Sequence, residues 1–329
     1  MNKNKSFRAF CRALSLYDHF LLSCHVSPEA DSIGSLLAMD SLLRRLGKKT
    51  TVICEDPFPQ RLEACLSSKR WKMLNELQKP QSYFQALITT DCPTLERIGK
   101  VRDIITPDTV IFNIDHHISN QFFGHFNFVR PKASACGEVV FEIFKRMRMT
   151  IHKEEAKNLY IAIMTDTGSF KYSNTTVSCH RVAAELISLG IDVDKINDAF
   201  YSTYSLSRIH LYSRLLSRVK TTPSGKIAWV GMKRSDLSHS GATYEDAEGF
   251  IDFLKYLKEV KVAFFMSEMK PDRQVKVSFR AKGNYDVNKI ATYFHGGGHL
   301  KASGCVLRGT LHQAEKAILN CLHQQFRLG

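Results

Sequence analysis

Residues 109–117 read TVIFNIDHH: an apolar run, then an acid and two imidazoles at Asp115-His116-His117. A short run of β-branched and aromatic residues closed by polar ones reads as a buried strand, here 109–114. The same grammar recurs along the first two thirds of the chain. HFLLSC (19–24) is followed by His25-Val-Ser-Pro-Glu29-Ala-Asp31, FQALITT (84–90) by Asp91, and the apolar run YIAIMT by Asp166-Thr167-Gly168. Between them, helical spacing is read at 32–46, with Gly47 as its C-cap, and at 60–66, 68–78, 134–147, 153–165 and 178–188; TTVIC (50–54) is a further strand. Alternation of this kind predicts an α/β fold whose first domain is a mainly parallel sheet with helices on both faces.

Past residue 200 the pattern changes. Helical patterns at 205–218, 243–254, 286–294 and 311–326 enclose strands at 226–232, 260–268 and 274–281, the last two flanking a turn at Lys270-Pro271-Asp272. This predicts a smaller C-terminal α/β domain. The expected organisation is a first domain over 1–198, a linker or hinge over 199–214 and a second domain over 215–329, with the active cleft between the two.

The acids and imidazoles stand where elements end, three of the four motifs after strands of one sheet. Ligands of open α/β sheets bind beyond the carboxyl ends of the strands, so these side chains are expected to converge. Mixed carboxylates and imidazoles suit Mn²⁺, and also Mg²⁺, Fe²⁺ or Zn²⁺. Two His and four carboxylates exceed the needs of one ion with open positions; they suit two ions sharing a carboxylate, which serves phosphoryl transfer. Taken singly, each motif reads as well as a turn, a helix cap or a packed imidazole. Their ordered recurrence is what argues for a site. In the second domain, Gly296-Gly297-Gly298-His299 brings backbone N–H groups within reach of an anion, and Arg280 closes QVKVSFR with a guanidinium suited to phosphate. Their bland readings are a flexible turn and a solvated edge residue.

Composition agrees with an anionic partner. Lys and Arg number 46 against 32 Asp and Glu, a formal charge of +14 spread along the chain; a solvated basic surface explains the charge equally well. The nine cysteines are scattered, without the spacing of a zinc knuckle or redox pair, and read as reduced thiols in the cytoplasm. Lys3, Lys5 and Arg8 imitate the start of a signal peptide, but Arg12, Asp18 and His19 break the apolar run that should follow. No membrane span is read.

In this order, the motifs resemble the DHH phosphoesterase superfamily, with Asp115-His116-His117 as its DHH triplet and Gly296–His299 resembling the GGGH segment of the DHH-associated C-terminal domain. The likeness runs from about residue 15 to 325 and is nearest to the bacterial nanoRNase/3′-phosphoadenosine 5′-phosphate phosphatase family. It implies one metal ion on His25, Glu29 and Asp91 and a second on Asp31, Asp91, His116 and Asp166, with Asp91 bridging; Mn²⁺ typically serves the family. It further implies that His117 faces the scissile phosphate, that Asp115 orients the neighbouring imidazole, and that Arg280, Gly297, Gly298 and His299 hold the substrate's terminal phosphate and nucleotide. An activated water, not a side chain, is then the nucleophile. One position departs from the family: its first motif usually reads His-x-x-Pro-Asp-x-Asp, and Glu29 stands at the first carboxylate.

The implied activity is hydrolysis of very short RNA to mononucleotides, and of 3′-phosphoadenosine 5′-phosphate, by a chain that acts alone or as a homodimer. Phe170 and Tyr172, beyond the fourth motif, are read as core or rim packing or as base-stacking platforms. A linear dinucleotide substrate calls for the same residues. A non-catalytic nucleotide or RNA binder is the alternative from another class, motivated by Glu29 alone.

Overall fold

The computed structural model describes residues 7–59, 62, 65–66, 70–77, 84–201, 204–269, 273–298 and 300–326. The chain divides into two compact units, Met1–Thr203 and Tyr204–Gly329.

The first unit holds β1 (His19–Cys24), β2 (Lys49–Cys54), β3 (Trp71–Met73), β4 (Ala86–Thr90), β5 (Val110–Asp115) and β6 (Phe126–Val129), with helices α1 (Phe7–Leu16), α2 (Ala30–Arg45), α3 (Cys136–Arg146), α4 (Lys153–Asp166), α5 (Val177–Ser188) and α6 (Val193–Tyr201). The strands form one sheet in the order β3-β2-β1-β4-β5-β6, parallel throughout. Parallel strands bury both faces, hence their near-continuous apolar runs. Phe20 and Leu22 of β1 pack beneath the helices, while Leu21 joins Ile53, Leu87 and Ile111 under the 3₁₀ segment Leu95–Ile104.

α2 lies at the centre, its Ile33, Leu36, Leu37, Leu42 and Leu43 all buried. Each contributes roughly 1.5–3 kcal/mol of transfer free energy. Gly47, with φ of 78°, ends the helix: its N–H bonds Arg44 O at 2.9 Å and that of Lys48 bonds Leu43 O at 3.0 Å, so a left-handed residue stops the chain from continuing helically.

The second unit comprises α7 (Leu206–Leu216), β7 (Lys220–Thr221), β8 (Ile227–Met232), α8 (Arg234–Ser240), α9 (Phe250–Tyr256), β9 (Val262–Glu268), β10 (Gln274–Ala281), α10 (Val287–Tyr293), β11 (Gly297–Gly298), β12 (Ala302–Arg308) and α11 (Leu311–Phe326). Its sheet runs β11-β12-β10-β9-β8-β7, parallel only between β8 and β9. Val275, Val277 and Phe279 of β10 pack with Ile290 of α10 and Ile318 of α11. Ala263 and Phe265 of β9 face the opposite core with Leu211 and Tyr212 of α7. Much of the stretch read as linker is therefore helix, packed into this unit.

Other expectations are corrected. The helical pattern at 68–78 is instead the edge strand β3 and a 3₁₀ turn at Leu74–Glu76; Trp71 pairs with Val52 and stacks on Phe58 at 4.0 Å, and that packing overrides the local spacing. The helix read at 243–254 starts only at Phe250, because Gly249 takes φ of 80° ahead of it. The helix read at 153–165 is present and ends at Asp166, with YIAIMT buried on several of its sides. Residues 60–66 fall largely, and Lys270-Pro271-Asp272 wholly, outside the described residues.

Candidate metal centre

Strand register sets the level of the site. Cys24 pairs with Thr90 and Thr90 with Ile114. The next residues, His25, Asp91 and Asp115, therefore emerge side by side from three adjacent strands. The sheet order reverses between β1 and β4, and the crevice that such a reversal opens is where His25 and Asp91 stand. Asp91 leaves its strand with φ of 59°, its N–H still bonded to Ile114 O at 2.9 Å.

The other donors come from helix ends. Glu29 caps α2, its backbone N–H donating to Ser32 Oγ at 3.1 Å, and its side chain stays 67% exposed. Asp31, in the first turn of α2, is buried; its carboxylate accepts the N–H groups of Cys136 (2.7 Å) and Gly137 (2.9 Å) at the start of α3 and the Ser35 hydroxyl at 3.1 Å. A helix N-terminus is a natural seat for a carboxylate. Gly137 is required there: a Cβ would come within 2.6 Å of Ala162 Cβ. Asp166 closes α4, with the amide of Asn174 on its backbone oxygen at 3.1 Å.

The imidazoles are aimed by their Nδ1 atoms. His25 Nδ1 donates to Val26 O at 2.8 Å and His116 Nδ1 to Ala133 O at 3.3 Å, which leaves each Nε2 facing carboxylates. His25 Nε2 lies 3.6 Å from Asp91 Oδ2 and 3.9 Å from Glu29 Oε1. His116 Nε2 lies 3.4 Å from Asp91 Oδ1, 3.7 Å from Asp31 Oδ2 and 3.8 Å from Asp166 Oδ2. His117 is held by Asp115: its Nδ1 donates to Asp115 Oδ1 at 2.8 Å and stands 3.5 Å from Asp91 Oδ1, and its side chain is 40% exposed. Asp115 is fully buried; Oδ1 also accepts the His116 N–H at 2.8 Å, and Oδ2 accepts from Asn120 at 2.5 Å.

Crowded charge moves the titrations. Burial pushes the Asp31 carboxyl well up, helped by the neighbouring Asp91 charge, and lifts Asp166 to about 6. For Asp91 burial acts the same way, but the close imidazoles of His116 and His25 outweigh it and hold the carboxyl below the usual range. Burial disfavours the His116 imidazolium, yet contact with Asp91 and the charge of Asp31 raise it to about 10. His117 is raised chiefly by its bond to Asp115.

These residues fit divalent cations. Asp91 Oδ1 is buried without a hydrogen-bond partner among the described residues, an arrangement that costs about 1–3 kcal/mol unless a cation satisfies it. Three donor groups, each with its ligand atoms within 4.8 Å of one another, overlap here: His25-Glu29-Asp91, Asp31-His116-Asp166 and Asp91-His116-His117. Asp91 belongs to two of them.

Arg280 and the glycines lie in the second unit. Arg280 is on β10, its Nη1 bonded to Phe279 O at 3.0 Å and its Nε 3.6 Å from Asp252. With Lys276 and Ser278, at alternate positions on the same strand face, it lines a cavity of about 630 Å³. Gly297 and Gly298 pair with Gly304 and Ser303 of β12. At Gly296 a Cβ would sit 2.2 Å from Gly304 O, whereas one at Gly297 would meet nothing within 4 Å. His299 lies outside the described residues. Phe170 packs inward, stacked on His180 at 5.1 Å, whereas Tyr172 is 57% exposed.

Sequence reading missed Asn120, Asn174 and Lys276. Only Lys276 carried a local signal, the Lys-x-Ser-x-Arg alternation that puts three polar side chains on one strand face.

Two family models match the chain: the DHH family, N-terminal domain, over residues 19–163, and the DHHA1 domain over 225–327. Bifunctional oligoribonuclease and PAP phosphatase NrnA of Thermus thermophilus is 28% identical over 314 residues, covering 92% of this chain and 89% of that one. The Bacillus subtilis protein of the same name is 28% identical over 297 residues, 89% and 90% of the two chains. The crystal structure of an exopolyphosphatase-related protein from Bacteroides fragilis superposes with a TM-score of 0.87 at 30% identity, over 97% of this chain and 95% of that one. Fold and site together define a metal-dependent hydrolase of phosphoester bonds. More narrowly, the chain belongs to the DHH family and carries the DHHA1 domain.

Proposed function

We propose that this chain hydrolyses very short oligoribonucleotides to mononucleotides and 3′-phosphoadenosine 5′-phosphate to AMP, with two Mn²⁺ ions. The observation that carries this reading is that Asp91 shares one donor group with His25 and Glu29 and another with His116, which itself joins Asp31 and Asp166, a chain of overlaps that suits a pair of ions. His25, Glu29 and Asp91 hold one ion; Asp31, Asp91, His116 and Asp166 hold the other. Glu29 reaches from the exposed rim of the crevice, where its extra methylene is accommodated. When bound, the ions supply an activated water and neutralise charge on the phosphate.

The chain's own groups do the rest. Asp115 holds the His117 ring by Nδ1 and favours its protonated form, so Nε2–H donates to the phosphate oxygen on which charge builds. Lys276 and Arg280, with the backbone of Gly297 and Gly298 and the side chain of His299, grip the substrate's terminal phosphate. The relatives named for oligoribonuclease and PAP phosphatase activity support this choice of substrates. Free thiols, buried at all positions but Cys11, accord with a cytoplasmic location; among the described residues no helix is long and apolar enough to cross a membrane.

The test is hydrolysis with Mn²⁺ of RNAs of two to five nucleotides, a long RNA, 3′-phosphoadenosine 5′-phosphate and pyrophosphate, each beside His116→Ala. We expect turnover of the short RNAs and of 3′-phosphoadenosine 5′-phosphate, reduced about 10²–10³-fold in the variant, in the range seen when a group central to charge stabilisation is removed. Cleavage of pyrophosphate alone would refute the substrate assignment. Nucleotide binding with no turnover at all would favour the binding-only alternative.

A further inference from the structure

Three of the donors hang on one turn of chain. Ala133 O takes the His116 ring. The N–H groups of Cys136 and Gly137 hold the Asp31 carboxylate. Ser134 O accepts the Asn174 amide at 3.0 Å, and that amide also reaches Asp166 O at 3.1 Å and Asp166 Oδ2 at 3.4 Å. Asp31, His116 and Asp166 together form one of the three donor groups. Residues 133–137 are thus a template for a single ion.

Glu138 clamps this template. Its Oε2 accepts both the backbone N–H of Ser134 (2.9 Å) and the Ser134 hydroxyl (2.8 Å), and its Oε1 accepts the Ser178 hydroxyl. The residue is only 8% exposed, uncommon for a carboxylate. An ordinary helix cap contributes about 1 kcal/mol of stability and nothing selective to a metal. This one fixes the loop that aims three donors at once, while His25 and Glu29 are held by the ends of β1 and α2.

We propose that Glu138 is a positioning residue for the ion held by Asp31, His116 and Asp166, and that it leaves the His25-Glu29-Asp91 ion unaffected. The proposal rests on the two-ion reading above. Glu138 need not act through its charge: a glutamine keeps the acceptor for Ser134 and donates its amide to Ser178.

The experiment is calorimetric titration of the metal-free full chain with Mn²⁺, with bound ions counted per chain after gel filtration. Wild type should bind two. Glu138→Ala should keep one at wild-type affinity and weaken the other about 10–100-fold, the usual cost of losing a group that orients ligands. Glu138→Gln should restore most of that affinity. Asn174→Ala, which cuts only the Asp166 branch, should weaken the same ion by less and keeps the proposal testable if Glu138→Ala does not fold. In a His25→Ala background, adding Glu138→Ala should remove the remaining tight ion. Two ions bound at wild-type affinity by Glu138→Ala and by Asn174→Ala, equal weakening of both ions, or a glutamine variant no better than alanine would each overturn the proposal. A wild-type chain that takes up no Mn²⁺ overturns the two-ion reading itself, and this inference with it.

Discussion

Two neighbouring histidines do different work because one carboxylate stands behind them. Asp115 Oδ1 accepts the backbone N–H of His116 and the ring N–H of His117, so it fixes where the first ring starts and which way the second points. Asp115→Asn keeps the shape but cannot accept both bonds with the same strength. We expect kcat to fall about 10–100-fold with Mn²⁺ affinity nearly intact, as for loss of an orienting partner. Unchanged kcat would remove Asp115 from the mechanism. The donors themselves were legible because acids and imidazoles at strand ends have few other reasons to recur. Their supports were not: the Asn174 side-chain amide meets the Ser134 carbonyl across forty residues of chain, a backbone acceptor that every residue type possesses.

At the scale of elements, the site depends on how closely α2 and α4 pack. Gly34 permits that approach: a Cβ there would stand 2.4 Å from Asn158 O and 3.3 Å from Ala162 Cβ. Backbone cannot step aside cheaply, so Gly34→Ala should cost about 1–3 kcal/mol by overpacking, net of a helix-propensity gain of up to about 1 kcal/mol. Because Asp31 lies one turn earlier on the same helix, weaker Mn²⁺ binding should accompany the loss in urea denaturation; a stable variant with normal metal affinity would contradict this account of the interface. The long elements were readable from periodicity. The failures were short or edge elements. β3 depends on pairing with β2 and on Phe58, α1 carries Arg8 and Arg12 within an amphipathic pattern, and β6, with four residues, is too short to display a period of two over local noise.

At the scale of the whole molecule, 46 basic residues outnumber 32 acidic ones, while the candidate centre itself gathers carboxylates. A basic surface draws in an anionic substrate that the unmetallated centre would repel, and salt screens that attraction. For a short RNA engaging about two cations, kcat/KM should fall about tenfold between 50 and 300 mM KCl while kcat holds. A flat salt profile would mean that the charge serves solubility alone. The division into two α/β units was visible in the change of pattern near residue 200. That α7 belongs to the second unit's core was not, because Leu211, Tyr212 and Leu215 show their partners only once β8 and β9 are in place.

The left-handed backbone at Asp91 has a practical consequence for anyone wishing to trap the substrate. Asparagine and aspartate tolerate that conformation better than other side-chain-bearing residues. Alanine at this position would combine a chemical lesion with a backbone strain, and its effects could not be apportioned. Asp91→Asn is the cleaner tool: nearly isosteric, at ease with the same dihedral, and stripped of the charge on which two donor groups converge. It is the variant to crystallise with an uncleaved dinucleotide.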